Sequence, residues 1–199
     1  MRILVVYCHP HADSFCHAML ERVLAGLARG RHEVEVIDLY AEGFNPVIDE
    51  AEWQVYMTTP SELDPPDTAR HAERLRWAEG LVFVYPTWLF SVPALLKGWL
   101  ERVFVPGVSF TLPGPGQHAP ASMLRHIRLI AGVTSTGTPR WVMALSGSAG
   151  KRLLLRALRL GFAIRCTRIW LCLHAMETRT QAQRVRHLER IERRFARVR

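Results

Sequence analysis

Three short segments of the chain combine side chains that could bind a ligand. The first, Cys8–Cys16 (CHPHADSFC), holds imidazole, carboxylate and hydroxyl groups close together. The second, Tyr85–Pro93 (YPTWLFSVP), is aromatic and apolar. Such groups can form a platform for a planar ligand, whose polar edge bonds to nearby backbone N–H groups. The third, Thr134–Gly137 (TSTG), offers hydroxyl and backbone donors.

The segment Cys8–Cys16 could bind a phosphate if it joins a strand to a helix, because backbone N–H groups and the helix dipole then point at the turn. Ser14 could donate its hydroxyl, and His9 an imidazole hydrogen bond. The GxGxxG and GxxxxGK[ST] patterns are missing, so neither a dinucleotide fingerprint nor a P-loop is indicated. Asp13 would repel a phosphate, so we expect it to point outwards. The alternative is a plain turn in which Ser14 caps a helix.

The other two segments also have ordinary structural interpretations. Trp88, Leu89 and Phe90 could pack in the core of the protein rather than face a ligand. Thr134–Gly137 could be a polar turn without a binding role. The residues alone leave these alternatives open.

Metal and thiol chemistry are not indicated. The nine His residues lack the spacing of metal ligands, so we predict no metal site. Cys8, Cys16, Cys166 and Cys172 form no CxxC pair, which predicts free thiols in a reducing cytosol and a cytoplasmic protein. We expect Cys8 and Cys16 to be inert small hydrophobes, as buried thiols usually are.

The elements that must position these segments are predicted by hydrophobic periodicity. The predicted strands are Arg2–Tyr7, Glu33–Leu39, Gly80–Tyr85, Ile127–Val133 and Arg168–Leu173. The first predicted helix is capped by Ser14 or Asp13 and ends at Gly30. The other predicted helices are Asp49–Tyr56, Asp67–Ala78, Val92–Phe104, Gly150–Leu160 and Thr180–Val198. Pro60, Pro65 and Pro66 interrupt the chain before the third strand, and residues 106–120 predict an irregular excursion.

Strands that alternate with helices indicate an α/β protein with an open parallel sheet covered on both faces. In such a sheet a ligand lies beyond the carboxyl ends of the strands, near the topological switch point. The three candidate segments follow the first, third and fourth strands. We see no repeat and no domain boundary, and therefore expect a single domain over residues 1–199.

The charge is divided unevenly along the 199 residues. Residues 1–99 carry a net charge of −6 and residues 100–199 a net charge of +14, and no acidic residue lies between Arg102 and Met176. Such a division can indicate nucleic acid, an acidic lipid surface or an anionic ligand. The last helix carries residues at three-to-four spacing along one face, namely Val185, Leu188, Ile191 or Glu192, and Phe195. This predicts a helix packed on the sheet with a solvated arginine face.

Membrane insertion is not indicated. No uncharged apolar run approaches the roughly 18–20 residues that a membrane span needs. After Arg2 only the short run ILVVYC precedes polar residues, so the N-terminus does not read as a signal peptide.

The block PTWLFSVPALLKGWLERVF, from Pro86 to Phe104, resembles the signature of the flavodoxin-like NAD(P)H:quinone oxidoreductases. His9-Pro10 with Ser14-Phe15 resembles the phosphate-binding turn of that family. The residues 38–41 (DLYA) and 44–46 (FNP) resemble its segment after the second strand. The resemblance covers residues 1–137 well and the remainder weakly.

The resemblance implies a doubly wound, five-stranded parallel sheet with strand order 2-1-3-4-5 and a noncovalent flavin, FMN or FAD. By this analogy three groups of residues bind the flavin. His9, Ser14, Phe15 and Cys16 would line its phosphate and ribityl chain; Pro86, Thr87, Trp88, Leu89 and Phe90 would line the isoalloxazine; Thr134, Ser135, Thr136 and Gly137 would hold its pyrimidine end.

The resemblance also implies an activity. A hydride would pass from NADH or NADPH to flavin N5, the nucleotide would leave, and a quinone-like acceptor would take its place. The flavin would carry this ping-pong chemistry while the protein supplies orientation and electrostatics. Relatives are usually homodimers with the site at the interface, to which the helix Val92–Phe104 and the following loop would contribute. The basic half of the chain suits a 2′-phosphate, which favours NADPH.

The chain departs from the family pattern on the substrate side. Trp88-Leu89 stands where the family often has Gln-Trp or Trp-Trp, and Phe110 stands where many relatives have Tyr. DT-diaphorase-like members have a Tyr and a His after the fourth strand, but residues 138–173 contain neither. Arg140 and Trp141 occupy that region and are our candidates, with Phe110, for substrate-side residues. We therefore predict no catalytic acid–base pair from the protein.

Two other functions compete with a flavin-dependent NAD(P)H oxidoreductase. The chain could be a flavin-binding regulatory subunit of a membrane transport system, with weak turnover. It could also bind nucleic acid through its basic half, although the motifs favour anionic cofactors, and we expect no nucleic-acid partner.

Overall fold

The structure, a computed structural model, describes residues 1–56, 66–114, 116 and 118–199. In chain order the strands are β1 (Arg2–Tyr7), β2 (Glu33–Asp38), β3 (Gly80–Pro86), β4 (Phe110–Thr111), β5 (Ala121–Ser122), β6 (Leu129–Thr136) and β7 (Thr167–His174). The helices are α1 (Phe15–Arg29), α2 (Glu50–Val55), α3 (Pro66–Trp77), α4 (Ala94–Val103), α5 (Arg140–Leu145), α6 (Ala149–Arg152) and α7 (Gln181–Phe195).

Five of the strands form one parallel sheet with the order β2-β1-β3-β6-β7. The predicted fold class and strand order are confirmed, since these are the five predicted strands in the order 2-1-3-4-5. The chain passes from β1 outwards to β2 and then returns to β3 on the other side of β1, so the switch point lies between β1 and β3. The two short strands β4 and β5 pair separately as an antiparallel ribbon.

Helices cover both faces of this sheet. On one face, α1 and α7 bury apolar side chains such as Met19, Val23 and Phe195 against the sheet. On the other face, α3, α4 and the helical residues 149–161 enclose a second core that contains Phe83 and Trp99. Every residue of β3 and β6 is buried, as expected for central parallel strands.

Local sequence determines where the principal helices begin. Ser14, and not Asp13, caps α1 by accepting the His17 N–H at 3.1 Å. Pro93 stands directly before α4, where its missing N–H costs no hydrogen bond. Thr180 and Gln183 form a capping box at the start of α7.

Some sequence predictions need correction. The predicted helix Gly150–Leu160 is α6 followed by a π-helical turn, Leu153–Ala157, and a 3₁₀ turn, Leu158–Gly161. The wider π turn lets the adjacent Leu154 and Leu155 both reach the core. The irregular excursion contains the β4–β5 ribbon, because Phe110 and Ser122 meet in register.

Val185 is another correction, since it lies on the exposed side of α7 instead of packing on the sheet. Pro60 and Pro65 lie outside the described residues. No helix in the described part of the chain combines the length and the apolar character that crossing a membrane requires.

Candidate functional site

The turn between β1 and α1 presents backbone donors at the start of a long helix. The N–H of Cys8 bonds to the Val84 carbonyl at 3.0 Å, which fixes the turn beside β3. No described residue accepts a hydrogen bond from the N–H groups of Ala12, Asp13, Phe15 or Cys16. These free donors and the positive end of the α1 dipole suit an anion, and the Asp13 side chain is exposed.

His9 links this turn to the aromatic segment after β3. Its Nδ1 lies 3.0 Å from the His11 backbone nitrogen and 3.2 Å from the His11 carbonyl oxygen, so it accepts the N–H bond when the proton of the neutral ring is on Nε2. Burial lowers the pKa of His9, which favours the neutral ring, and in the tautomer with the proton on Nε2 this atom can donate a hydrogen bond. The His9 and Trp88 rings lie 6.2 Å apart between centroids, so the structure brings these two predicted residues together.

The segment after β3 is a tight turn in a strained conformation. Trp88 and Ser91 exchange two backbone hydrogen bonds of 3.2 and 3.0 Å, and the residues between them, Leu89 and Phe90, have φ angles of 43° and 65°. Two successive residues in the left-handed region of backbone conformation are normally Asn or Gly. Leu89 is 92% exposed and Trp88 43% exposed, so this turn projects apolar side chains and two unbonded N–H groups outwards. Phe90 is 38% exposed, so the alternative in which Trp88, Leu89 and Phe90 pack in the core is wrong for all three.

The turn after β6 joins the same edge of the sheet. The Thr87 N–H bonds to the Ser135 carbonyl at 2.8 Å, and the Thr87 and Thr134 hydroxyls lie 2.8 Å apart. Thr134, Ser135 and Thr136 are buried, whereas Gly137 is exposed. An ideal Cβ on Gly137 would lie 2.6 Å from a carboxylate oxygen of Glu177, so a larger residue there would displace the exposed end of that side chain.

Two predicted site residues, Cys16 and Phe110, are placed differently from the rest. The Cys16 side chain is buried in the core and burial raises its thiol pKa, so it can offer a ligand only its backbone N–H. Cys8 is equally buried, and its thiol pKa is raised to about 12. Phe110 lies in the β4–β5 ribbon, whose Ser122 hydroxyl contacts the Gly161 carbonyl ahead of β7. This ribbon is at the amino ends of the strands, opposite the candidate site.

Arg140 and Trp141 lie in the first turn of α5, three residues beyond Gly137, and both are exposed. Sequence reasoning missed two neighbours of this region, Glu177 and His174. His174 ends β7 and pairs in register with Thr136. Burial, and then the charge of Arg140, lower the pKa of His174. The signal that could have found both residues was their position directly after the fifth predicted strand.

No group of three His, Cys, Asp or Glu side chains that could hold a metal ion occurs among the described residues. The four cysteines are free thiols.

Comparison with known proteins decides the family. The model of a family with the flavodoxin-like fold matches residues 1–162. The chain belongs to this flavodoxin-like family. The match covers all three turns of the candidate site, and it extends past residue 137, where the sequence resemblance weakens.

This flavodoxin-like chain is also similar to individual proteins. It is 33% identical over 124 residues to NAD(P)H dehydrogenase [quinone] 1 of Cavia porcellus, an alignment that covers 55% of this chain and 45% of that protein. It is 30% identical over 134 residues to the uncharacterized NAD(P)H oxidoreductase YcaK of Escherichia coli, covering 66% of this chain and 65% of YcaK. The chain thus spans about half to two thirds of the curated relatives it matches.

A solved structure matches nearly the whole chain. The NAD(P)H:quinone oxidoreductase from Methanothermobacter marburgensis superimposes with a TM-score of 0.85 at 25% identity, over 99% of this chain and 98% of that one. The divergent C-terminal third therefore keeps the same fold.

Proposed function

We propose that this chain is a flavin-dependent oxidoreductase that passes a hydride from NADH or NADPH, through flavin N5, to a quinone or a similar electron-poor small molecule. The observation that carries the proposal is the meeting of three turns at the switch point of the sheet. One supplies anion-binding N–H groups, one an aromatic surface and one hydroxyl-rich backbone. The relatives named as NAD(P)H dehydrogenase [quinone] and NAD(P)H oxidoreductase support the same chemistry.

The residues present fit a flavin at its phosphate end. The free N–H groups of Ala12, Asp13, Phe15 and Cys16 would bind phosphate oxygens, and Nε2 of His9 would donate a further hydrogen bond. Lys and Arg are missing from residues 3–21, so the helix dipole and these N–H groups would neutralise the phosphate.

The ring system would lie on the turn after β3. Trp88, Phe90 and Pro86 would shield one side of it from water, and the N–H groups of Leu89 and Phe90 would donate to its polar edge. The Thr87–Thr134 hydrogen bond would hold this platform at a fixed distance from the backbone of Thr136 and Gly137, which would bind the pyrimidine end. A bound flavin would accept a hydride and release it to the second substrate.

The protein's part in the reaction is orientation and exclusion of water. The two substrates would use one cavity in turn, in a ping-pong sequence, with Arg140 and Trp141 on the substrate side. Phe110 could join that side only from a second copy of the chain, since in one chain it lies at the opposite end of the sheet. We propose a homodimer for this reason.

The test begins with a spectrum. The purified protein, or the protein reconstituted with FMN or FAD, should show flavin absorption that bleaches anaerobically with NADH or NADPH and recovers on addition of a quinone. A flavin that never bleaches would favour the regulatory-subunit alternative. A colourless protein that cannot be reconstituted would overturn both.

A matched pair of variants tests the platform. Trp88→Ala should weaken FMN binding about tenfold, since an aromatic contact with its buried area contributes on the order of 1–2 kcal/mol. Trp53→Ala should leave FMN binding unchanged, because Trp53 is an exposed tryptophan of α2 and belongs to none of the three turns. Equal effects of the two variants would count against the proposed site.

A further inference from the structure

A strip of cations without counter-charges lines the free edge of the sheet. Two cavities, of about 420 and 610 Å³, lie along the free edge of β7 and share Ser148, Lys151 and Trp170 in their walls. The larger one faces α6, and the smaller one extends around the edge to Arg190 of α7. The basic side chains that line them are Arg140, Lys151, Arg152, Arg156, Arg168 and Arg190. We name these two cavities the edge cleft.

These six cations are unpaired. Within the described part of the chain, none of them makes an ion pair or a side-chain hydrogen bond, and no carboxylate lines the edge cleft. Five of the six lie within the stretch from Arg102 to Met176 that has no acidic residue, and Arg190 is supplied by α7. Like charges held together raise the free energy of the folded state.

Protection of the edge strand against aggregation does not explain this arrangement. Charged side chains commonly guard sheet edges. At the opposite edge, β2, the guarding cations are neutralised: Arg70 pairs with Glu42 at 2.7 Å, and Arg74 with Glu35 at 3.1 Å. Both edges hold a cavity of ligand size, and the one at β2, of about 470 Å³, is lined by Glu35 and Glu73 as well as by Arg70 and Arg74. The two edges of one sheet thus differ in whether the charge around the cavity is compensated.

An aromatic surface lies between the two cavities. Trp170 points from β7 into the edge cleft and is only partly buried. Its six-membered ring lies against Gly132 of β6, where a Cβ would approach it to 2.4 Å. The glycine lets the indole lie close to the sheet, with cations from α5, α6 and β7 around it.

We propose that the edge cleft binds a nucleoside diphosphate or a molecule that contains one. The base would stack on Trp170, and the phosphates would neutralise Lys151, Arg168 and their neighbours. Stacking with convergent cations suits this ligand class, and the volumes match a small molecule rather than a flat contact surface. The edge cleft shares Arg140 and His174 with the surroundings of the turn after β6, but it contains none of the residues predicted to bind the flavin, so the proposal does not rest on the proposed function.

The test measures ADP binding by calorimetry at low salt, with and without saturating FMN. Wild type should bind ADP equally in both cases. Lys151→Ala/Arg168→Ala should weaken ADP at least tenfold, because it removes two charge-assisted contacts. The control Arg165→Ala/Arg199→Ala removes the same charge from exposed positions outside the cleft and should change binding less than twofold.

A second comparison separates stacking from charge. Trp170→Leu should weaken ADP about tenfold and leave pyrophosphate binding unchanged. Loss of ADP binding on adding FMN would overturn the proposal, because ADP would then occupy the flavin turn. Binding of a single-stranded oligonucleotide or of phosphatidylserine vesicles without ADP binding would also overturn it, in favour of a polyanion surface. No ADP binding, or an equal effect of both double variants, would do the same.

Discussion

At the scale of single residues, the turn after β3 holds two bulky side chains where the backbone favours glycine. Leu89 and Phe90 have φ angles of 43° and 65°, and neither side chain is buried enough to repay the strain through packing. Strain of this kind persists where the surrounding structure holds the backbone in one conformation, and it is found most often at ligand sites. Here the two hydrogen bonds between Trp88 and Ser91 impose it.

Leu89→Gly should therefore stabilise the ligand-free protein. Glycine avoids a left-handed cost of roughly 1–2 kcal/mol, although it loses about 0.5–1 kcal/mol of backbone entropy. We expect the free energy of unfolding to rise by about 0.5–1 kcal/mol in urea titrations. The control is Leu160→Gly, an exposed leucine outside the left-handed region, which should lose stability. A loss in Leu89→Gly as well would show that the turn is not strained.

His187 gives a pH-dependent prediction. Burial, and then Arg190 and His174, lower the pKa of this His in α7 to about 4, whereas an unfolded chain binds the proton near pH 6.5. The unfolded state then binds more protons below pH 6.5, so stability should fall as the pH falls from about 6.5 to 4 and level off below. The full effect is on the order of 3 kcal/mol.

His187→Gln should remove this part of the pH dependence between pH 7 and 5, measured as urea midpoints. His126→Gln, at an exposed position, should keep the wild-type slope. Parallel slopes for wild type and His187→Gln would contradict the assignment.

At the scale of elements, the block that carries the family resemblance acts mainly in packing. Gly98 of α4 lies against Pro46, whose carbonyl oxygen would be 2.3 Å from a Cβ there. The Trp99 indole N–H donates to His71 Nδ1 at 2.9 Å. Only the start of the block, Pro86–Phe90, reaches the candidate site. The motif thus identifies the fold more directly than it identifies the chemistry.

Arg102 shows how α4 holds its neighbours. It is 6% exposed, its Nη1 donates to the Asn45 carbonyl at 2.6 Å, and its Nη2 pairs with Glu52 of α2 at 2.5 Å. Arg102→Ala leaves Glu52 without its partner and should cost about 3–5 kcal/mol of unfolding free energy. Lys97→Ala, in an exposed pair with Glu101 on the same helix, should cost less than about 1 kcal/mol.

Denaturant titration of both variants checks this prediction. If Arg102→Ala does not fold, Glu52→Gln keeps the side-chain shape and should still lower stability by about 1–3 kcal/mol. Equal stability of the Arg102 and Lys97 variants would show that the buried pair is dispensable.

At the scale of the whole molecule, the residues predicted the strands and the three turns, because buried parallel strands and capping residues are local patterns, whereas the strand order came from the family resemblance. The sequence did not predict His174 and Glu177, which reach the site only because β7 pairs with β6. It also placed Phe110 beside the site, whereas α4 carries the chain to the other end of the sheet before the β4–β5 ribbon. The position of His174 and Glu177 after the fifth predicted strand was visible in the sequence, but their approach to the site, like the placement of Phe110, depends on long-range packing.

The uneven charge of the sequence places unpaired cations at the β7 edge of the sheet and paired cations at the β2 edge. Removing cations should therefore change the free energy of unfolding in opposite directions at the two edges. At 20 mM NaCl, Lys151→Ala/Arg168→Ala should raise the free energy of unfolding by about 0.5–1 kcal/mol, because it relieves repulsion among unpaired cations. Arg70→Ala at the β2 edge should lower it by up to about 1 kcal/mol, because it breaks the pair with Glu42. Both effects should fade at 1 M NaCl, where the screening length is about 3 Å. If the double variant at β7 instead loses stability at low salt, its cations are compensated and the edge cleft is not a site of unrelieved positive charge.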